Sequence, residues 1–209
     1  DTFYNGKRHL GEEKSGPVAS GFGTAIAAGA AGATRSHFAP YTVTRTMGGH
    51  GGAGGEEKAT VPDLDDAPQD EYLADRQTTE MIKFLRQPRE RPFLAVLAFY
   101  AVHTPIQGKE SYAETYRAKL ASQPAPSAVW EKESAGENLL VQNNPVYGAM
   151  VQSVDENVGR LLETLDELGI ADDTIVVLCS DHGGLSARGN KREIATSNRP
   201  LRAGKGHLY

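Results

Sequence analysis

Asn144-Pro145-Val146-Tyr147-Gly148-Ala149-Met150 opens a stretch that continues through Leu168-Gly169 to Thr174-Ile175-Val176-Val177-Leu178-Cys179, and its two halves carry different periodicities. In the first half Val146, Met150, Val154, Val158, Leu161, Leu165 and Leu168 recur at three- and four-residue spacing, which lines one face of a helix. Asn144 is a residue type that caps a helix, Pro145 suits the first helical position, and Gly169 supplies the stop. The second half, Thr174 to Cys179, is almost continuously apolar, the composition of a strand buried on both faces. A helix followed by such a strand predicts an α/β fold with a parallel sheet.

The same order occurs earlier in the chain. A helical pattern over residues 71–86 precedes Pro92 and the apolar run Phe93 to Phe99. The glycine-rich stretch Gly48 to Gly55 and the proline-rich stretch Ala121 to Ser127 read as surface loops. The segment Gly21 to Ala33 is rich in alanine and glycine, but Gly21-Phe22-Gly23 does not complete a dinucleotide-binding fingerprint.

With 209 residues, 39% of them hydrophobic and 23% charged, the chain is long enough to bury a core and is expected to form one globular domain. A net charge of -5 argues against nucleic acid as the main partner, so an anionic ligand must be held by a few placed cations. No run approaches the roughly 18 apolar residues of a membrane span, so no membrane insertion is expected. The single cysteine, Cys179, excludes internal disulfides and multi-thiolate zinc sites; within its apolar run it reads as a core residue. The chain starts without Met and stops soon after a polar cluster, so both ends read as truncations.

In open α/β sheets, ligands gather beyond the carboxyl ends of the strands. The run ending at Cys179 leads into Ser180-Asp181-His182-Gly183-Gly184, where Asp181 and His182 can offer oxygen and nitrogen to one metal or, equally, an aspartate can cap a turn beside a solvated histidine. The run ending at Phe99 leads into Tyr100-Ala101-Val102-His103-Thr104-Pro105, which places His103 as a general acid, an anion ligand or a structural histidine. Cations concentrate in Gly6-Lys7-Arg8-His9-Leu10-Gly11 and in Asn198-Arg199-Pro200-Leu201-Arg202-Ala203-Gly204-Lys205-Gly206-His207. Lys and His flanked by glycine suit close approach to a small tetrahedral anion; each segment by itself also fits an ordinary solvated loop.

Taken together and in this order, the segments resemble motifs of the formylglycine-dependent sulfatases, in the alkaline-phosphatase-like superfamily. Residues 6–11 are similar to that family's Gly-Lys-Trp-His-Leu-Gly segment, with Arg8 in place of tryptophan. Residues 100–105 resemble its His-x-Pro segment, residues 144–184 its long helix and strand ending in Ser-Asp-Asn/His-Gly-Gly, and residues 196–206 the segment with its sulfate-binding lysine. The resemblance implies a three-layer α/β/α sandwich with a mainly parallel sheet, and residues 1–209 as part of one catalytic domain. It implies a sulfuric ester hydrolase acting on sulfated carbohydrates or aryl sulfates.

By the same carry-over, Lys7 and Lys205 would bind sulfate oxygens and His9 would orient or deprotonate the nucleophile. His103 would contact sulfate or protonate the leaving alcohol, and Arg202 would be a further substrate contact. Asp181 and His182 would be two ligands of a Ca2+ ion; the imidazole, where many members carry Asn, departs from the oxygen donors that calcium prefers. The chain holds no Cys/Ser-x-Pro-x-Arg motif. The resemblance therefore puts the formylglycine and the other calcium ligands upstream of Asp1, calls for a formylglycine-generating maturation enzyme as a partner, and leaves the isolated chain inactive. It also suggests a periplasmic or secreted parent protein. A phosphodiester or phosphonate hydrolase of the same superfamily is the alternative enzyme, and an anion-binding fragment without catalysis the alternative to an enzyme. The loops 47–57 and 109–142 are expected to shape the leaving-group pocket, with no residue that separates a sulfated sugar from an aryl sulfate.

Overall fold

The computed structural model describes residues 1–10, 13–46, 56–133, 136–188, 194–202 and 204–206. The glycine-rich stretch Gly48 to Gly55, and Gly11, Ala203 and His207 of the basic segments, lie outside them. The chain divides into two compact units, one of residues 1–107 and 153–174, the other of residues 108–152 and 175–209.

The first unit is built on a three-stranded, wholly parallel sheet of order β2-β1-β5, from β1 (Thr2–Gly6), β2 (Thr24–Ile26) and β5 (Leu94–Ala98). An antiparallel pair, β3 (Thr42–Thr46) and β4 (Glu56–Thr60), stands apart from it. The helix α1 (Leu73–Leu85) covers the sheet with Met81, Phe84 and Leu85, which bury against Phe3 at the start of β1. Phe3 and Phe84 stack with ring centroids 4.8 Å apart, and the Arg89 guanidinium lies over the rings of Phe84 and Phe93.

One polar device ties α1 to both strands. The Asn5 side chain of β1 donates to the Gln77 carbonyl at 2.6 Å, and the Gln77 side chain donates to the Ala98 carbonyl of β5 at 3.2 Å. Both Asn5 and Gln77 are fully buried, so these bonds offset part of the cost of removing two amides from water, the Asn5 side-chain oxygen having no hydrogen-bond partner among the described residues. They fix the height at which the carboxyl ends of β1 and β5 emerge, the register placing Gly6 opposite Ala98.

The expected long helix is α3 (Pro145–Glu167), and Asn144 caps it as read, its side-chain oxygen accepting from the Tyr147 N–H at 3.0 Å. Its buried face is more polar than the apolar spacing implies: Ser153, Asn157 and Thr164 are buried with Met150 and Leu165. In the first unit Asn157 donates to Asp75 of α1 at 2.8 Å, and Arg160 donates to Thr79 at 3.1 Å. Hydrogen bonds therefore do part of the docking that periodicity assigned to methyl groups.

Two expectations fail at Thr174 to Cys179. The segment forms no strand, and no described strand pairs with it. Ile175 is 92% exposed and Val177 80% exposed, and Cys179 is an exposed free thiol, not a core residue. The physical reason is that a strand buried on both faces needs a hydrogen-bonded neighbour as well as apolar side chains. Here the apolar side chains are present, and among the described residues there is no neighbouring strand. The run Phe93 to Phe99 does form the expected strand, β5, which is an edge strand of its sheet and half-buried over most of its length.

The second unit holds α2 (Glu110–Ala121), the start of α3 and a three-stranded antiparallel sheet of order β6-β7-β8, from β6 (Trp130–Glu133), β7 (Gly136–Leu139) and β8 (Ala187–Arg188). Residues 122–127 form the exposed loop read from their prolines. Among the described residues, no helix is long and apolar enough to cross a membrane.

Candidate functional site

Lys7, His9 and His103 all leave the carboxyl edge of the parallel sheet. Lys7 follows β1 directly, and its backbone N–H donates to the Ala98 carbonyl at 2.8 Å, continuing the pairing of β1 with β5 one residue past the strand. Its own carbonyl accepts from the Tyr4 hydroxyl at 2.7 Å. His9 has a φ of 56°, a left-handed backbone that non-glycine residues seldom adopt, and its ring lies against Gly32. Arg8 between them turns inward, is buried and donates to the Ser15 carbonyl, so it serves the loop and not a ligand.

His103 follows β5 by five residues. Its backbone N–H donates to the Tyr100 carbonyl at 3.0 Å, and Nδ1 lies 2.9 Å from the Thr104 carbonyl and 3.2 Å from the Thr104 hydroxyl. Tyr100 anchors this loop from below: it is buried, its hydroxyl donates to the Ala27 carbonyl at 2.9 Å, and burial pushes its pKa up to about 12.

A residue missed by the sequence reading, His37, holds the His103 loop from the other side. It is fully buried, with Nε2 donating to the His103 carbonyl at 2.9 Å and its backbone N–H donating to the Gln107 side chain at 2.9 Å. Burial holds the ring's pKa down at about 4, and the bond to the His103 carbonyl only partly offsets that effect. Because the folded pKa lies below the ordinary value of about 6.5, the unfolded chain takes up the proton first as pH falls. Stability is therefore intact above about pH 6.5 and is lost progressively toward pH 4, by on the order of 3 kcal/mol. Urea unfolding of the protein across this range is expected to show that slope, and His37→Gln should flatten it; an unchanged slope in the variant rules the account out.

In the second unit, the loop of residues 196–206 is laced to Gly184. The Asn198 side chain accepts from the Gly184 N–H at 2.8 Å and donates to the Gly184 carbonyl at 2.9 Å, while the Lys205 N–H donates to the same carbonyl at 3.2 Å. Gly204 is required here: a Cβ would stand 2.3 Å from the Gly184 carbonyl oxygen and 2.2 Å from the Asn198 side-chain nitrogen. A turn closed by the Leu201 N–H on the Asn198 carbonyl carries Arg202 to an exposed position. Gln142 fixes the start of the loop, its side chain donating to the Ser197 carbonyl at 2.5 Å. Asn198 and Gln142 fix the loop that carries Lys205, and only their pairing with residues outside it or at its start, Gly184 and Ser197, reveals them.

Asp181 and His182 face each other, with His182 Nε2 donating to Asp181 Oδ2 at 2.8 Å, and both are exposed. Calcium takes roughly six to eight oxygen ligands, and this pair offers one carboxylate and one imidazole. Among the described residues no three His, Cys, Asp or Glu side chains gather to hold a metal. Among the described residues, Asp181 and His182 alone do not make a calcium site. Lys7, His9 and His103 belong to the first unit and Lys205, Arg202, Asp181 and His182 to the second.

A Sulfatase family model matches residues 1–207, essentially every residue described above. The chain belongs to the sulfatase family. Among the sulfatases it is similar to are the steryl-sulfatase of Mus musculus, 34% identical over 141 residues that cover 66% of this chain and 18% of that protein. The arylsulfatase of Klebsiella aerogenes is 28% identical over 150 residues, covering 58% of this chain and 32% of that one. The chain thus spans less than a third of the length of these two relatives. The solved structure of Ps i-CgsB in complex with k-i-k-neocarrahexaose superposes with a TM-score of 0.62, covering 98% of this chain and 41% of that one at 22% identity. That likeness carries the sulfatase fold, α/β with a mainly parallel sheet.

Proposed function

We propose that this chain is part of the catalytic domain of a sulfuric ester hydrolase, which cleaves the sulfate esters of carbohydrates or aryl alcohols. The observation that carries the reading is the family match across residues 1–207, reinforced by two sets of cations held on backbone anchors: Lys7 beside β5, and Lys205 beside Gly184. Arylsulfatase and steryl-sulfatase relatives support hydrolysis of a sulfate ester, and a solved neighbour bound to neocarrahexaose supports a carbohydrate as the carrier.

In this reading Lys7 and Lys205 hold sulfate oxygens and offset negative charge that grows on them in the transition state. His9 positions or removes a proton at the attacking group. His103 donates a proton to the departing alkoxide or aryloxide oxygen, its ring held in orientation by the contacts of Nδ1 with Thr104. Arg202 is a further contact to the substrate. A formylglycine and a calcium ion with Asp181 and His182 among its ligands, a maturation enzyme and export of the protein are proposals that rest on family membership, the remaining groups lying outside this chain.

The test is a substrate comparison with the full-length protein. Sulfate monoesters are expected to turn over with kcat/KM at least about 10²-fold above matched phosphodiesters, a difference in transition-state stabilisation of roughly 2.7 kcal/mol. A preference for the phosphodiester overturns the assignment.

A further inference from the structure

Residues 27–33, all alanine or glycine, belong to the stretch that completes no dinucleotide fingerprint, and they leave the carboxyl end of β2. The neighbouring strands of the same parallel sheet release His9 from β1 and His103 from β5 at that edge, where ligand-facing loops gather. The segment is pinned at both ends. Ala27 is fully buried with a φ of 58°, and its carbonyl accepts from the Tyr100 hydroxyl. At the far end the His37 carbonyl accepts from the Leu73 N–H at 2.8 Å, where α1 begins, and Phe38 pairs with Tyr72 in an antiparallel bridge. All of these residues belong to the first unit.

Two residues of the segment touch the histidines of the candidate site. The His9 ring fills the space that a side chain at position 32 would take: a Cβ on Gly32 would stand 2.4 Å from its Nδ1 and Cε1 and 2.5 Å from its Cγ. The ring therefore rests on the Gly32 backbone, and any larger residue there displaces it. His37 reaches the other histidine through the bond from Nε2 to the His103 carbonyl, while its backbone N–H holds the Gln107 side chain. Tyr72 closes the assembly, its ring stacked on His37 and its hydroxyl donating to the Gln107 carbonyl at 3.0 Å.

An imidazole is a costly filler for this position. A carbonyl only accepts, so Nε2 carries the proton and Nδ1 is left as an acceptor, buried and without a hydrogen-bond partner among the described residues. An apolar side chain of similar size would avoid that penalty; what the imidazole adds is the bond to the His103 loop. Local exceptions of this kind are retained where function needs them.

We infer that residues 27–37 form a positioning platform for the candidate site, in which Gly32 sets the place of His9 and His37 sets that of His103. The inference rests on the sulfatase reading and adds the two residues that fix the group acting on the nucleophile relative to the group acting on the leaving oxygen. Each acts through the histidine it holds.

Double-mutant cycles in the full-length protein, read as kcat/KM for phenyl sulfate, test the platform. Gly32→Ala should lower the value by roughly 10- to 100-fold, the scale of a misplacement of about 1 Å, but by less than about threefold once His9→Ala is present. In a His103→Ala background it should keep its full effect. His37→Met, which retains bulk and removes the donor, should show the mirror pattern: roughly 10- to 100-fold alone or with His9→Ala, and less than about threefold with His103→Ala. His37→Gln, whose amide reaches the same carbonyl, should recover most of the activity. If His37→Met does not fold, His37→Asn, too short to reach the carbonyl, takes its place. A merely structural role lowers activity equally in every background, so losses that add to both histidine variants overturn the platform, as does either single variant within about threefold of the unmodified protein. If the unmodified protein releases no sulfate from the ester, the sulfatase reading fails and the platform falls with it.

Discussion

Lys205→Ala in the full-length protein is expected to lower kcat/KM for a sulfate ester by about 10²–10³-fold, the size of effect seen when one preorganised charge or donor is taken from a transition state. The expectation rests on how firmly the residue is held. Its backbone N–H and the Asn198 side chain both donate to the Gly184 carbonyl, and Gly204 permits the approach. A side chain whose backbone is fixed this way needs less reorganisation at the moment of reaction than one on a free loop. Lys205→Arg should recover only part of the loss, because the planar fork of a guanidinium does not occupy the position of an ammonium. Steady-state kinetics with a chromogenic aryl sulfate measures both variants, and a Lys205→Ala protein within fivefold of the parent would remove Lys205 from the catalytic set.

Gly6→Ala is expected to destabilise the fold by about 3 kcal/mol or more, combining a left-handed backbone with an overpacked contact. Gly6 has a φ of 110°, and a Cβ there would stand 2.0 Å from the Ala98 carbonyl oxygen and 2.3 Å from the Gln77 side-chain nitrogen. The Ala98 carbonyl is the one that Gln77 and the Lys7 N–H share, so one methyl group disturbs the junction of β1, β5 and α1 at the point where Lys7 leaves the sheet. Denaturant unfolding reads the loss, and activity should fall with it because Lys7 loses its anchor. A variant within about 0.5 kcal/mol of the parent would show that the junction yields without cost.

The elements that the sequence made legible are those whose signal is local. The helix of residues 145–167 announces itself through Asn144, Pro145 and a regular apolar spacing, and α1 and β5 follow the same logic. β1 was not read as a strand because its interior carries a polar residue, Asn5, whose satisfaction depends on Gln77, 72 positions away. The buried serine, asparagine and threonine on α3 escaped for the same reason: their partners on α1 and the helix backbone make polar burial tolerable, and apolar periodicity does not register them. The opposite error arose at Ile175 to Leu178, where apolar composition states what environment a strand suits but supplies no neighbour to create it.

Site residues divide along the same line. Lys7, His9, His103 and Lys205 stand out in sequence because they are charged or titratable residues flanked by glycine or just past a strand. Asn198, Gln142 and His37 position them through bonds to backbone atoms elsewhere in the chain, and their residue types alone announce nothing.

The central claim, that this chain serves the hydrolysis of a sulfate ester, is tested most directly by following inorganic sulfate. The full-length protein is incubated with a small aryl sulfate, and sulfate and phenol are quantified together by ion chromatography and absorbance. The account predicts one sulfate released for each phenol, with the rate lowered by about 10²–10³-fold in Lys205→Ala; no sulfate above the uncatalysed background, from folded and matured protein, would contradict it.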